Sequence, residues 1–130
     1  MSFLPDDFFD MFSNTTFRIV DLKQNHFRSF NTAIFAAFWR VDIVKMFQNE
    51  ISEVNMTARV NIGKLILKEN KFQQFPDLCL HRSPTTGEAG YFRAFYNLQS
   101  LYIANNPFRQ IQSSSVFLSR DILGYFLTSF

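Results

Sequence analysis

The sequence predicts an α+β fold, with an N-terminal helix–strand–helix–strand–strand module over residues 1–70 packed on a small, mostly β C-terminal module over residues 71–130. Three observations predict it. Apolar residues recur at helical spacing in two stretches of the first half. Three other runs there alternate, or turn β-branched, as half-buried strands do. Beyond Lys71 the apolar runs become short, and turn-forming residues separate them.

The first helix is expected over about residues 6–16. Pro5 lies near its first turn, Asp6 and Asp7 complement the positive helix end, and Phe8, Phe9 and Phe12 form its apolar side. Residues 18–23 alternate and read as a strand. Phe30, Ile34, Ala37 and Phe38 then fall on one helical face, with Arg28 or Ser29 opening the helix. Residues 41–47 read as a strand, and residues 58–68 as its antiparallel partner across the polar loop 48–57. In the second half, strand-like runs at 78–80, 91–96, 108–111 and 123–127 flank the turn-rich stretch 82–90 and a short helix within 97–104.

Composition bounds the function. A hydrophobic fraction of 47% fits a folded protein. The 18 Phe exceed the 11 Leu, and 10 Asn stand beside only 4 Gly. Phe and Asn are residues that an AT-rich genome overproduces, so the bias reads as mutational, with aromatic packing as the competing explanation. A net charge of +2 permits nucleic acid as a partner without demanding it. The single cysteine, Cys79, excludes an intrachain disulfide and sits in an apolar run as a small buried hydrophobe. No run approaches 18 apolar residues, so no membrane span is expected. The acidic start lacks the character of a transit peptide, so the expectation is either a protein made where it works or one whose leader has been removed, and the initiating Met favours the first.

Catalytic templates fail. His26 and His81 are far apart, with no cluster at metal spacing. No glycine-rich phosphate loop or nucleophile elbow occurs. No enzyme, cofactor, metal or small-molecule substrate is expected.

One repeat pattern stands out. Residues 62–72 (Ile62, Leu65, Leu67, Asn70, Phe72) and 98–108 (Leu98, Leu101, Ile103, Asn106, Phe108) both match the leucine-rich-repeat core, in which apolar residues fill the interior and Asn satisfies backbone groups in the turn. The offset of 36 residues exceeds the roughly 20–29 of that repeat, and a stable stack needs about three units. A leucine-rich-repeat-like protein-interaction module is therefore the second reading.

The first reading comes from a resemblance. Ser113, Ser114 and Ser115 form a run of hydroxyls able to donate to phosphate or ribose oxygens. With Ser119, Arg120 and Asp121 they resemble a worn version of the Ser-Thr-Ser-Lys-Gly-Ile-Met-Thr-Asp loop of the bacterial-type eighth protein of the small ribosomal subunit. Asp6–Phe12 resembles that family's opening Asp-Pro-Ile-Ala-Asp-Met-Leu, Ala33-Ile34 and Phe38 its second helix, and Leu65–Lys68 a hairpin return strand. Leu123–Leu127 takes the place of the closing strand. Val116 and Phe117 replace the loop's Lys and Gly, and Tyr125 stands where the family has Glu.

The resemblance implies a structural protein that binds the central domain of small-subunit ribosomal RNA and touches neighbouring small-subunit ribosomal proteins, with no membrane partner. Together with the compositional bias it points to an organelle-encoded protein of the mitochondrial ribosome, in the matrix. By the same resemblance Ser113, Ser114 and Ser115 read the RNA, Arg93, Arg109 and Arg120 meet phosphates, and Tyr96 stacks on a base or caps the site. Arg28 and Ser29 meet another phosphate at the start of the second helix. Residues 71–130 carry five cations against three carboxylates, a net +2, so few phosphate contacts and modest salt-dependent affinity follow.

Overall fold

The computed structural model describes residues 1–83, 85–109 and 126–129. Its central feature is a five-stranded, wholly parallel sheet. β1 (Thr16–Asp21), β3 (Arg40–Lys45), β5 (Ile62–Ile66), β8 (Ser100–Tyr102) and β9 (Phe126–Ser129) lie side by side in chain order. Each pair is parallel, so the chain returns to the same end of the sheet before every new strand. The first return carries β2 (Ser29–Asn31) and a 3-10 turn at Thr32–Phe35, and the second carries β4 (Glu53–Asn55). β2 and β4 pair in parallel as well. The third return contains an antiparallel hairpin, β6 (Cys79–Arg82) with β7 (Ala89–Arg93). The molecule is a stack of coils.

The sequence explains the stacking once four segments are aligned on their asparagines. Residues 17–27, 41–51, 62–72 and 98–108 all place apolar residues at positions 1, 4, 6 and 11 and Asn at position 9. Position 4 stacks Val20, Val44, Leu65 and Leu101, and position 6 stacks Leu22, Met46, Leu67 and Ile103. Most of these side chains are fully buried; Phe17 and Leu22 in the first coil and Phe108 in the fourth are only partly so.

The asparagines form a ladder. Asn49 Oδ1 accepts from the Asn25 and Phe27 amides (3.0 and 3.3 Å). Asn70 Oδ1 accepts from Asn49 and Ile51 (3.2 and 3.1 Å), and Asn106 Oδ1 from Asn70 and Phe72 (both 3.1 Å). Each Nδ2 donates to carbonyls of its own coil; Asn70, for example, reaches Leu67 at 2.9 Å and Met46, one coil back, at 3.1 Å. Buried turn groups that no strand partner can reach are thereby satisfied. The residue before each ladder asparagine (Gln24, Gln48, Glu69 or Asn105) holds φ between 56° and 58°, so the chain turns the same corner four times.

This architecture overturns the α+β expectation, because the described residues contain no helix of seven residues or more. The segment taken for the first helix is turns with a 3-10 element at Asp10–Phe12, and β1 starts at Thr16. The segment taken for the second is β2 and the 3-10 turn. There Asn31 Oδ1 accepts from the Ala33 amide, and Thr32 Oγ1 accepts from the Thr57 and Ala58 amides. The first bond caps the 3-10 turn and the Thr32 bonds tie the backbone to the next coil, in place of a helical ladder, and Phe, Asn, Thr and Trp are weak helix formers. The apolar spacing there records a core lined with rings: Phe30 stacks on Phe35 (5.4 Å) and Phe38 lies 4.9 Å from Phe9. The strands expected to pair antiparallel, β3 and β5, run parallel. The stretch expected to hold a short helix within 97–104 carries β8.

The offsets between ladder asparagines are 24, 21 and 36 residues. The last exceeds the second by 15, the length of the hairpin segment from Cys79 to Arg93. Because Cys79 and Arg93 are cross-strand partners, the hairpin leaves and rejoins the coil at one place. The long offset is a regular coil with an insertion.

Candidate interaction surface

In each coil, positions 3, 5 and 7 project from the sheet on the side opposite the core, since positions 4 and 6 point inward. Strand register then builds rows. Ile19, Ile43, Lys64 and Ser100 are successive partners, as are Asp21, Lys45, Ile66 and Tyr102. Position 7 contributes Lys23, Phe47, Lys68 and Ala104. All are exposed or half-buried, and Ile19 is 44% exposed, an apolar side chain open to solvent.

Lysine and aromatic groups interleave on this face. The Lys23 and Lys68 ammonium groups lie 5.9 and 5.2 Å from the Phe47 ring centroid, and Lys64 lies 5.6 Å from that of Tyr102. Such contacts hold long side chains over the sheet. Asp21 is the one carboxylate in these rows; its hydrogen bond from Lys23 (2.6 Å) holds its pKa below the usual carboxylate value, against a smaller opposing effect of burial. Among the described residues no carboxylate lies within 4.0 Å of the Lys45, Lys64 or Lys68 ammonium. Beside the rows, Arg40 pairs with Asp42 at 2.7 Å and crosses Gly63, where a Cβ would stand 2.6 Å from its Nη2.

The residues singled out from the sequence lie elsewhere. Ser113, Ser114, Ser115 and Arg120 fall outside the described residues. Arg28 and Ser29 do not open a helix: Ser29 begins β2, and Arg28 Nε is 4.0 Å from Glu50 Oε2. Arg93 ends β7 and is exposed. Tyr96 carries the Arg59 guanidinium 4.9 Å from its ring centroid, and the Arg109 amide donates to the Gln73 carbonyl at 2.9 Å. These positions are spread over the first return, the third return with its hairpin, and the exit of the fourth coil. The rows of the strand face were missed because Lys, Ile and Phe at positions 3, 5 and 7 acquire meaning only after the register is known.

A polar groove runs between the second and third returns, with a volume of about 650 Å³, lined by Ser52–Val54 and Lys71–Asp77. Near it Asp77 accepts from the Cys79 amide (3.1 Å) and contacts His81 Nε2 (2.5 Å). Burial, reinforced by the Asp77 charge and a hydrogen bond to it, pushes the Cys79 thiol up to about 11. A thiol so disfavoured as thiolate is a poor nucleophile. No group of three metal-ligating side chains occurs, and no helix is long and apolar enough to cross a membrane, among the described residues.

No protein-family description, curated protein or solved structure matches this chain.

Proposed function

We propose that the protein is a leucine-rich-repeat-like interaction module that holds a partner protein on the strand face of its stack. One observation carries the reading: four in-register coils align their outward side chains into continuous rows, an extended surface of the kind that stacked repeats use for binding. The rows bring Ile19, Ile43, Ile66, Phe47 and Tyr102 together on the outer face among charged side chains, and grouped apolar side chains rimmed by polar ones mark interaction sites. The ribosomal reading drew on a helix–strand–helix–strand–strand order that the coils do not have, and it loses that support.

Site-specific photo-crosslinking in an extract of the source organism tests the reading. p-Benzoylphenylalanine replaces Ile43 on the strand face or, as a control, Gln74 on the return side. Protein adducts formed from position 43 and not from position 74 are expected. Adducts that nuclease dissolves, or equal yields from both positions, overturn it.

A further inference from the structure

Resting on that reading, we infer that the strand face receives an acidic segment, one in which Asp or Glu carboxylates alternate with apolar side chains. The charge on the face is the argument. Among the described residues the rows hold four ammonium groups, Lys23, Lys45, Lys64 and Lys68, against one carboxylate, Asp21, which is ion-paired with Lys23 and also feels the charge of Lys45, its cross-strand partner. Between them stand Ile19, Ile43 and Ile66, which have nothing to offer a carboxylate and would lose water to apolar side chains. A ligand complementary to both needs negative charge and apolar groups in one stretch of chain.

The cation–π contacts hold Lys64 and Lys68 in place before the partner arrives, so less side-chain freedom is lost on docking. They also argue against a single-stranded nucleic acid. Base stacking needs an open ring, and Phe47 already has an ammonium within 6 Å from each neighbouring coil. The rows contain no arginine, the side chain whose planar fork grips phosphate.

The test is selection from a displayed random peptide library on the full chain and, in parallel, on K45E/K64E/K68E. Matching circular dichroism certifies the variant's fold, and K45Q/K64Q/K68Q replaces it if the reversal does not fold. Peptides selected on the wild type are expected to be rich in Asp and Glu, to bind the variant at least about tenfold more weakly, and to weaken as salt rises. Selected peptides that need these lysine positions or the neighbouring isoleucines but are not acidic overturn this inference and leave the docking face standing. Peptides indifferent to every substitution on the face, or no selected peptides, overturn both. Tighter binding of a labelled oligouridylate than of the acidic peptides assigns the face to nucleic acid and overturns the inference.

Discussion

Each ladder asparagine does work that no other side chain in its coil can do. Asn70 Oδ1 takes two backbone N–H groups of the preceding coil while its Nδ2 reaches carbonyls of two coils. Replacing it with Ala strands several buried polar groups at once, and each costs about 1–3 kcal/mol. Asn70→Ala is therefore expected to lose about 3 kcal/mol or more in denaturant unfolding. Among the described residues Asn25 Oδ1 meets only the amino group of Met1, 3.4 Å away, and Asn25→Ala is expected to cost about 1 kcal/mol. Equal losses would show that the ladder is not what binds the coils. The residue before each asparagine pays a conformational cost at φ near 57° that glycine avoids. Gln48→Gly should be tolerated, whereas Gln48→Val should lower stability by at least about 1 kcal/mol. Cys79 adds a pH signature. Its folded pKa of about 11 exceeds the ordinary value of 9.0, so its contribution is complete below pH 9 and lost as pH rises toward 11. Unfolding followed across that window should show a shallower decline in Cys79→Ala than in the wild type; identical slopes would refute the assignment.

At the scale of the element, the hairpin is an insertion into an otherwise regular coil. Since Cys79 and Arg93 are paired neighbours, a short Gly-Ser linker can replace residues 79–93. That deletion is expected to keep the β circular-dichroism signal and a single unfolding transition. It should cost about 2–4 kcal/mol for the lost burial of Cys79 and Leu80; loss of cooperative unfolding would contradict the insertion. The hairpin is also why the repeat was hard to read. Its 15 residues stretched one offset to 36. In the first two coils Phe17, Val41, Val44, Met46 and Ile51 stand where a leucine pattern is sought, so two of four copies passed unnoticed. Their chemistry is equivalent in a core, because a coil asks for apolar volume at positions 1, 4, 6 and 11. Strand character at 18–23, 41–47 and within 58–68 was legible from alternation. Parallel pairing was not, since alternation is the same for either direction, and the rings at Phe30, Phe35 and Phe38 imitate a helical face. Of the sites inferred from the sequence, those on described residues belong to the returns, the hairpin and the exit of the fourth coil, while the strand-face rows emerge only from cross-coil register.

As a whole molecule the stack is nearly one-dimensional: each coil is stabilised by its neighbours, and the ends have one neighbour fewer. Phe17 and Leu22 are only partly buried in the first coil, whereas Val41, Val44, Ile62, Leu65 and Leu67 are almost wholly buried in the second and third. Amide exchange should accordingly be slowest for β3 and β5 and faster for β1. Repeated backbone hydrogen bonds join successive coils. Three occupy the same place in successive coils: the Leu22 amide to the Lys45 carbonyl, Met46 to Ile66, and Leu67 to Tyr102 (2.8, 2.9 and 2.7 Å). Nuclear magnetic resonance detects such bonds through the scalar coupling between amide nitrogen and acceptor carbonyl carbon. Couplings linking those three pairs are the predicted result. A set that pairs residues 41–47 with 58–68 in antiparallel order would contradict the stack.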